Sequence, residues 1–567
     1  MPYRAPVEEY RFLLRHVVGL DEVTATDRFS EATDETVRAI LLEAGRICEE
    51  VLSPLQRVGD THPARLENGI VRTSPGFAEG YRAIAEGGWV GMSADPQYGG
   101  LGLPLSVTSA VNEMMASACL ALQLNPLMTQ GQIEALEHHA SDEIKSLYLP
   151  KLASGEWCGT MNLTEPQAGS DVGALTTRAE ARGDGTYAIT GQKIYISWAD
   201  NDFSANVCHL VLARLPGGAE GTRGISLFLV PKYLPDADGN PGRVNELRVL
   251  SLEHKLGLHG SPTAVMEYEG ATGWMIGEDH GGMAAMFTMM NNARLGVGGQ
   301  GIGAAEGAYQ HALAHAMDRR QGKAGGSGAI VEHPDVRRML TTMKAEIHAA
   351  RAIALANAKA IDMANATGAP DWVARAAFLT PITKAFGTET GIFVATEGIQ
   401  VHGGMGVIEE TGAAQYSRDV RVTSIYEGTN GIQAVDLVGR KLKDGGETAT
   451  RLVSEILAET DACAGEMPDL AQTVREAAEM LEQTTKWLVG QDMSDRLPGA
   501  VAYLRAFARI LGAHYHLRSA RNGNDARRAL ARFYIERMLP EHAGLQVQVR
   551  RGGDGLFDLT LDDLAAA

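Results

Sequence analysis

A glutamate held between an aromatic residue and a glycine is the first candidate for chemistry, in Ile425-Tyr426-Glu427-Gly428-Thr429-Asn430-Gly431-Ile432-Gln433. Most glutamates are surface residues with no further role. An apolar neighbour such as Tyr426 withdraws a carboxylate from water and raises its pKa, which makes it a better base near neutrality. A second segment, Leu163-Thr164-Glu165-Pro166-Gln167-Ala168-Gly169-Ser170-Asp171, has the make-up of a phosphate cradle. Glu165-Pro166 enforces extended or turn geometry. Gly169 permits close backbone approach, and the Ser170 hydroxyl with nearby N–H groups can donate to a pyrophosphate. The competing interpretation of this segment alone is a polar surface loop. Together, a base and a phosphate-bearing cofactor point to proton removal coupled to redox chemistry.

Other motifs carry less. Gly296-Val297-Gly298-Gly299-Gln300-Gly301 matches the dinucleotide GxGxxG pattern, but that fingerprint needs a preceding strand. Met283 to Arg294 reads as helix, so these small residues serve close helix packing instead. Gln400-Val401-His402-Gly403-Gly404-Met405-Gly406 reads as a helix C-cap and turn, with His402 structural. His254, His259 and His333 lack metal-ligand spacing, and no metal site is expected. Arg418-Asp419 reads as a local salt bridge.

These residues need positioning elements. Thr36 to Leu152 reads as helices, with Val37-Ile40-Leu41-Ala44-Ile47-Val51 near helical spacing and Val107-Val111-Met114-Met115 apolar all round. From Cys158 the character changes to strands: Tyr187 to Lys193 with a turn, Ile194 to Trp198, Val207 to Arg214 and Ile225 to Val230, with Gly183-Asp184-Gly185 as a hairpin signal. Strands without intervening helices predict an antiparallel sheet or barrel. Helical patterns return from Gly281 to Lys441 and again from Glu447 to Arg551, ahead of a partly disordered tail, Gly552 to Ala567. The expectation is a mainly α chain with a central β-barrel domain: an N-terminal extension (1–34), a helical domain (35–157), the β domain (158–280), a helical bundle carrying Glu427 (281–445) and an extra helical module (446–567).

The chain of 567 residues exceeds one ordinary core. Its formal net charge of −19 argues against nucleic-acid binding, which needs clustered Lys and Arg. Five scattered cysteines fit reduced thiols in the cytoplasm. No signal-peptide core is visible at the start, and no stretch reads as long and apolar enough to span a bilayer.

In their order along the chain, Thr164-Glu165-Pro166 with Ala168-Gly169-Ser170-Asp171, Gly191-Gln192-Lys193, Lys255-Leu256-Gly257, Gly403-Gly404-Met405-Gly406 and Tyr426-Glu427-Gly428-Thr429 resemble the acyl-CoA dehydrogenase family. The resemblance covers roughly residues 36–441. It implies FAD-dependent α,β-dehydrogenation of an acyl-CoA thioester to the trans-2-enoyl-CoA. Glu427 stands where the family's base stands, with its backbone N–H and a flavin ribityl hydroxyl polarising the thioester carbonyl. Ala293 occupies the place where other relatives carry the base, and alanine has no proton-accepting group. Arg294, Ser170 and Tyr426 match substrate contacts. Met161, Leu163, Thr164, Gly169, Ser170, Gly428 and Thr429 match cofactor contacts, as do Tyr195 and Ser197, where relatives often have Trp and Thr. Arg319, Gln321, His333, Gln400 and Gly404 match contacts made to FAD by a neighbouring subunit, which implies a homodimer or a dimer of dimers. Pro334 departs from a glutamine that often follows the histidine, and Ala324 to Ala329 reads as a flexible insertion. The module beyond Lys441 and the opening residues resemble the longer bacterial branch that includes 3-methylmercaptopropionyl-CoA dehydrogenases, with 3-(methylthio)propanoyl-CoA or another short to medium acyl-CoA as substrate and an electron-transferring flavoprotein as acceptor. The alternatives are an acyl-CoA oxidase and a flavin-bearing DNA-binding relative. For the latter, the arginines of Arg521 to Arg551 read as a solvated face or subunit interface.

Overall fold

The residues after Pro104 are apolar on every side, so a helix made from them has no face for water. In the computed structural model, which describes residues 3–323 and 326–566, they form the central helix α1 (Leu105–His139). This corrects the expectation about membranes. By length and composition α1 could cross a bilayer, but 89% of its most apolar window is buried inside the protein. α1 is broken at Cys119 (φ −155°, ψ 88°). The freed backbone groups find partners: Leu120 N–H donates to Gln56 Oε1 at 3.3 Å, and Trp198 Nε1 donates to Ala121 O at 3.1 Å.

The β region contains β1 (Trp157–Asn162), β2 (Arg178–Ala181), β3 (Tyr187–Ser197), β4 (Asn206–Arg214), β5 (Ile225–Pro231), β6 (Leu247–Leu252) and β7 (Thr263–Ile276). Pairing runs β7–β3–β2–β4–β5 and back to β7, so the sheet closes on itself. Alternate residues of these strands, among them Ile189, Ile196, Phe228, Val230, Met266 and Tyr268, fill the interior as a separate core. β6 extends β7 antiparallel, whereas β1 joins β4 in parallel, a pairing that an all-antiparallel expectation does not contain.

The two strands expected on either side of Lys193 are one strand, β3. The local irregularity behind that expectation is a β-bulge: Ile194 and Tyr195 together oppose Val265 alone. Gly191, at φ 154°, carries β3 past Thr177, where a Cβ would collide.

Three long helices follow: α2 (Gly282–Asp318), α3 (Pro334–Thr367) and α4 (Pro370–His402). The GxGxxG run lies in mid-α2, and its glycines are contact points. A Cβ at Gly298 would come within 2.8 Å of Thr383 O, and one at Gly301 would strike Gly387 of α4. The helices Glu447–Cys463, Pro468–Val489, Ala500–Asn522, Asp525–Arg537 and Glu541–Arg551 form the last module, followed by a short exposed helix, Leu561–Ala566, in the tail.

The N-terminal residues are built into the core, with Tyr10, Leu13 and Val17 fully buried. Glu9 bonds His348 of α3 at 2.8 Å and Arg527 of the last module at 2.7 Å, tying three regions of the chain together. Among the C-terminal arginines, Arg527 pairs with Glu9, and Arg532 with Asp469 and Glu536. Arg351 of α3 bridges Glu113 and Glu306 at 2.7 Å each, in a buried triad. All five cysteines are buried and unpaired.

Candidate active site

The segment with phosphate-cradle composition is anchored by a buried ion pair. Glu165 and Lys193 are almost wholly inside and meet at 2.8 Å. Burial opposes ionisation of Glu165, but the Lys193 ammonium and the donors of Thr176 and Thr177 hold its carboxyl down at about 2. Burial lowers Lys193 to about 8, against the pull of Glu165. Both groups are charged at neutral pH. Lys193 also donates to Leu163 O at 3.0 Å. Pinned from behind, the segment turns Gly169 and Ser170 outward. A Cβ at Gly169 would meet nothing within 4 Å. Glu165 therefore shapes the loop from inside, a role that turn chemistry alone did not disclose.

Beside this loop, the β3 bulge thrusts Tyr195 (φ 61°) out of the barrel, 61% exposed, while Trp198 is fully buried against α1. Bulges commonly re-aim a side chain in this way. Met161, Leu163, Thr164 and Ser197 are half-buried around the same rim.

Glu427 lies on the loop between the helical turn Arg421–Ser424 and the helix Asn430–Asp436. It and Gly428 adopt φ 55° and 83°, consecutive left-handed residues. Their carbonyls are tied down: Gln433 Nε2 donates to Glu427 O at 3.0 Å, and Lys384 Nζ donates to Gly428 O at 2.8 Å and to Asn430 Oδ1 at 3.0 Å. Thr429 caps the following helix, accepting from Ile432 N–H at 3.3 Å. The Tyr426 hydroxyl donates to Gln300 of α2. Among the described residues, the Glu427 carboxylate and the Glu427 N–H have no hydrogen-bond partner. The loop is thus held by its carbonyls and leaves a carboxylate and a backbone donor free. Burial dominates the carboxyl and raises it to about 7, although the charges of Arg294 and Lys384 pull it down. Arg294 of α2 is buried and lies 3.9 Å from Asp436.

Lys384 was not among the candidates from sequence. Its signal was there, a single cation inside the apolar run Phe378 to Phe386, since a buried lysine needs partners.

The remaining candidates lie elsewhere. Arg319 and Gln321 are exposed at the end of α2, and Gln321 O meets His333 Nε2 at 2.8 Å. Gln400 and Gly404 are exposed at the end of α4. His402 stacks on His315 at 4.4 Å, so these two groups share one end of the bundle. Eighteen residues of α4 separate Lys384 from His402, about 27 Å at 1.5 Å per residue. The structure does not bring these five residues to the Glu427 of the same chain.

The Arg418-Asp419 expectation is corrected. Arg418 bonds Asp60 at 2.6 Å and Glu409 at 2.8 Å, whereas Asp419 accepts from Leu258 N–H at 2.6 Å. Asp419 so docks the Lys255-Leu256-Gly257 turn onto the helix Ala413–Val420. The run Ala324 to Ala329 lies partly outside the described residues; within it, Ser327 N–H donates to Glu332 at 3.0 Å.

A helical region, a closed sheet and a helical bundle, joined around a raised glutamate and an outward aromatic, match the acyl-CoA dehydrogenase N-terminal (34–156), middle (160–271) and C-terminal (280–442) domain models, and residues 450–560 match an acetyl-CoA dehydrogenase C-terminal-like model. The chain belongs to the acyl-CoA dehydrogenase family and is an FAD-dependent oxidoreductase. It is 42% identical to the 3-methylmercaptopropionyl-CoA dehydrogenase of Ruegeria pomeroyi, over 99% of this chain and 100% of that one. It is 34% identical to a butyryl-CoA dehydrogenase of Syntrophomonas wolfei over 80% and 78% of the two chains. The fold is also that of Caenorhabditis elegans ACDH-11, solved in complex with C11-CoA (TM-score 0.81, 20% identity, covering 99% and 96% of the chains).

Proposed function

We propose that Glu427 is the base that removes the α-proton of an acyl-CoA thioester, giving the trans-2-enoyl-CoA, with 3-(methylthio)propanoyl-CoA as the favoured substrate. The observation that carries this is a carboxyl raised to about 7 and left free on a loop whose neighbouring carbonyls are pinned. A base poised near the working pH transfers protons most effectively. The free Glu427 N–H supplies a donor for the thioester oxygen as negative charge develops there. Arg294 offers a buried cation near the anionic part of the ligand.

The residues present fit FAD. Tyr195 is an outward aromatic suited to lie against a flat ring, Ser197 can bond the ring edge, and Gly169 with Ser170 leaves open space for a pyrophosphate. Met161, Leu163, Thr164, Gly428 and Thr429 complete that surface. Bound FAD supplies the acceptor for the β-hydride. Arg319, Gln321, His333, Gln400 and Gly404 serve the cofactor of a neighbouring copy, a reading supported by the length of α4 between Lys384, which bonds the Glu427 loop, and His402 at the end of the bundle where these residues lie, so the assembly is a homodimer or a dimer of dimers. An electron-transferring flavoprotein is the electron acceptor that would serve this site, in the cytoplasm.

The test is anaerobic addition of an acyl-CoA panel to FAD-loaded protein. Bleaching of the yellow absorbance with 3-(methylthio)propanoyl-CoA, and an enoyl-CoA product two mass units lighter, is the expected result. Absence of bleaching with every acyl-CoA in the panel would end the proposal.

A further inference from the structure

Two buried glutamines and the half-buried Tyr426 next to the base form a polar relay that base chemistry does not use. The Tyr426 hydroxyl donates to Gln300 Oε1 of α2, and Gln300 Nε2 donates to Gln123 Oε1 of α1 at 2.9 Å. Gln123 and Gln300 are each 1% exposed. In this arrangement Gln123 Nε2 is the spare atom, a donor with no hydrogen-bond partner among the described residues. Gln123 nonetheless sits in the core, where a leucine or methionine would need no polar partner.

The position of Gln123 says what the spare atom meets. On one side, Trp198 at the end of β3 bonds Ala121 O, two residues away, so the α1 break lies against the strand that carries Tyr195 and Ser197. On the other side, Gln300 ties Gln123 to Tyr426, the residue next to Glu427. Gln123 therefore stands between the proposed ring surface and the base loop, where the acyl group must run. Arg294, whose charge acts on the Glu427 carboxyl, precedes Gln300 by six residues of α2, about 9 Å along the axis. The relay therefore sits between one and two turns of α2 from Arg294. Leu127 packs over Gly296 on the same pair of helices and supplies the apolar wall.

Resting on the proposed function above, we infer that Gln123 and Gln300 are specificity-determining residues, and that the site takes a short acyl group with a heteroatom near its end in preference to an all-carbon chain of the same length. A heteroatom that accepts from the spare Gln123 donor satisfies it, whereas a methylene in that place leaves it unpaired.

The probes are three acyl-CoAs of equal chain length: pentanoyl-CoA, 3-(methylthio)propanoyl-CoA and 3-methoxypropanoyl-CoA. A heteroatom also changes reactivity at the β-carbon, so affinity is read separately from turnover. FAD-loaded Glu427→Gln, which holds ligand without reaction, reports Kd through perturbation of the flavin spectrum. The kcat/KM ratios are measured in the protein with Glu427 intact. Each preference is compared before and after Gln123→Leu, with Gln123→Met as the variant closer in shape should Leu lose its cofactor. The expected result is that the heteroatom ligands lose about five- to tenfold relative to pentanoyl-CoA in both Kd and kcat/KM, the worth of one ordinary hydrogen bond. Ratios unchanged by both substitutions, with all three thioesters still bound, overturn this inference alone. If no acyl-CoA perturbs the flavin at all, the proposed function itself fails.

Discussion

The acid–base poise of Glu427 yields a prediction in pH. Its carboxyl stands at about 7, against the 4.5 of an unperturbed glutamate, because burial outweighs the attraction of Arg294 and Lys384. Only the ionised form can accept a proton. With a midpoint of 7, roughly one tenth is ionised at pH 6 and roughly nine tenths at pH 8, so the rate should rise about tenfold across that span. An unperturbed carboxylate would be almost fully ionised at pH 6 and give a flat profile. Lys384, itself lowered to about 7 by burial, titrates in the same window, so the limb belongs to the pair and is broader than a one-proton curve. The assay is anaerobic stopped-flow bleaching of the flavin at substrate concentrations well below saturation, where the second-order constant reports the free enzyme. A profile flat from pH 6 to 9, or a limb centred near 4.5, would refute the reasoning.

Four further outcomes follow from the same geometry. Lys384→Met removes the donor to Gly428 O and a cation beside Glu427; flavin reduction should fall about 10- to 100-fold and its pH limb move up by about one unit, checked by the same stopped-flow series. In the protein without cofactor, a native proton on Glu427 is held up to about pH 7 but lost at about 4.5 on unfolding. The unfolded chain binds fewer protons between these values, so stability falls as pH rises through them. Glu427→Gln should therefore raise the thermal midpoint more at pH 8 than at pH 5, by an amount corresponding to about 2 kcal/mol once water access to the loop is allowed for. Glu165→Gln leaves Lys193 buried without its counter-ion, at a cost of about 3–5 kcal/mol, and should lower both flavin content and thermal midpoint. Arg351→Met leaves Glu113 and Glu306 facing one another in the core, with a loss of similar size in urea unfolding and no change in the pH limb.

The extent to which the sequence disclosed this molecule follows the range of the interactions. Local signals were legible: the glycines of mid-α2 read as helix contacts, and the strand-rich character after Cys158 read as a barrel. The Tyr426-Glu427-Gly428 loop stood out because its unusual neighbours are adjacent in sequence. Interactions between distant segments were not legible. The Glu165–Lys193 pair spans 28 residues and Lys384 reaches Gly428 across 44, and neither leaves a spacing pattern. β3 was split in two because a bulge breaks the alternation of sides much as a turn does. The N-terminal residues were read as an extension, although Tyr10, Leu13, Leu14, Val17 and Val18 recur at helical spacing and are buried. α1 was read as a buried helix only around Val107 to Met115, and its full bilayer length was not seen; the polar residues within it, such as Glu113 and Gln123, find partners inside the protein.

The central claim is that Glu427 takes the proton. The direct measurement is anaerobic flavin bleaching in Glu427→Gln loaded with FAD, beside the unmodified protein, with one saturating acyl-CoA. The account predicts retained flavin, a spectral shift on ligand binding and a bleaching rate lower by at least about 10⁴-fold, because Gln keeps the shape of the side chain but accepts no proton. Bleaching within about tenfold of the unmodified rate would contradict it.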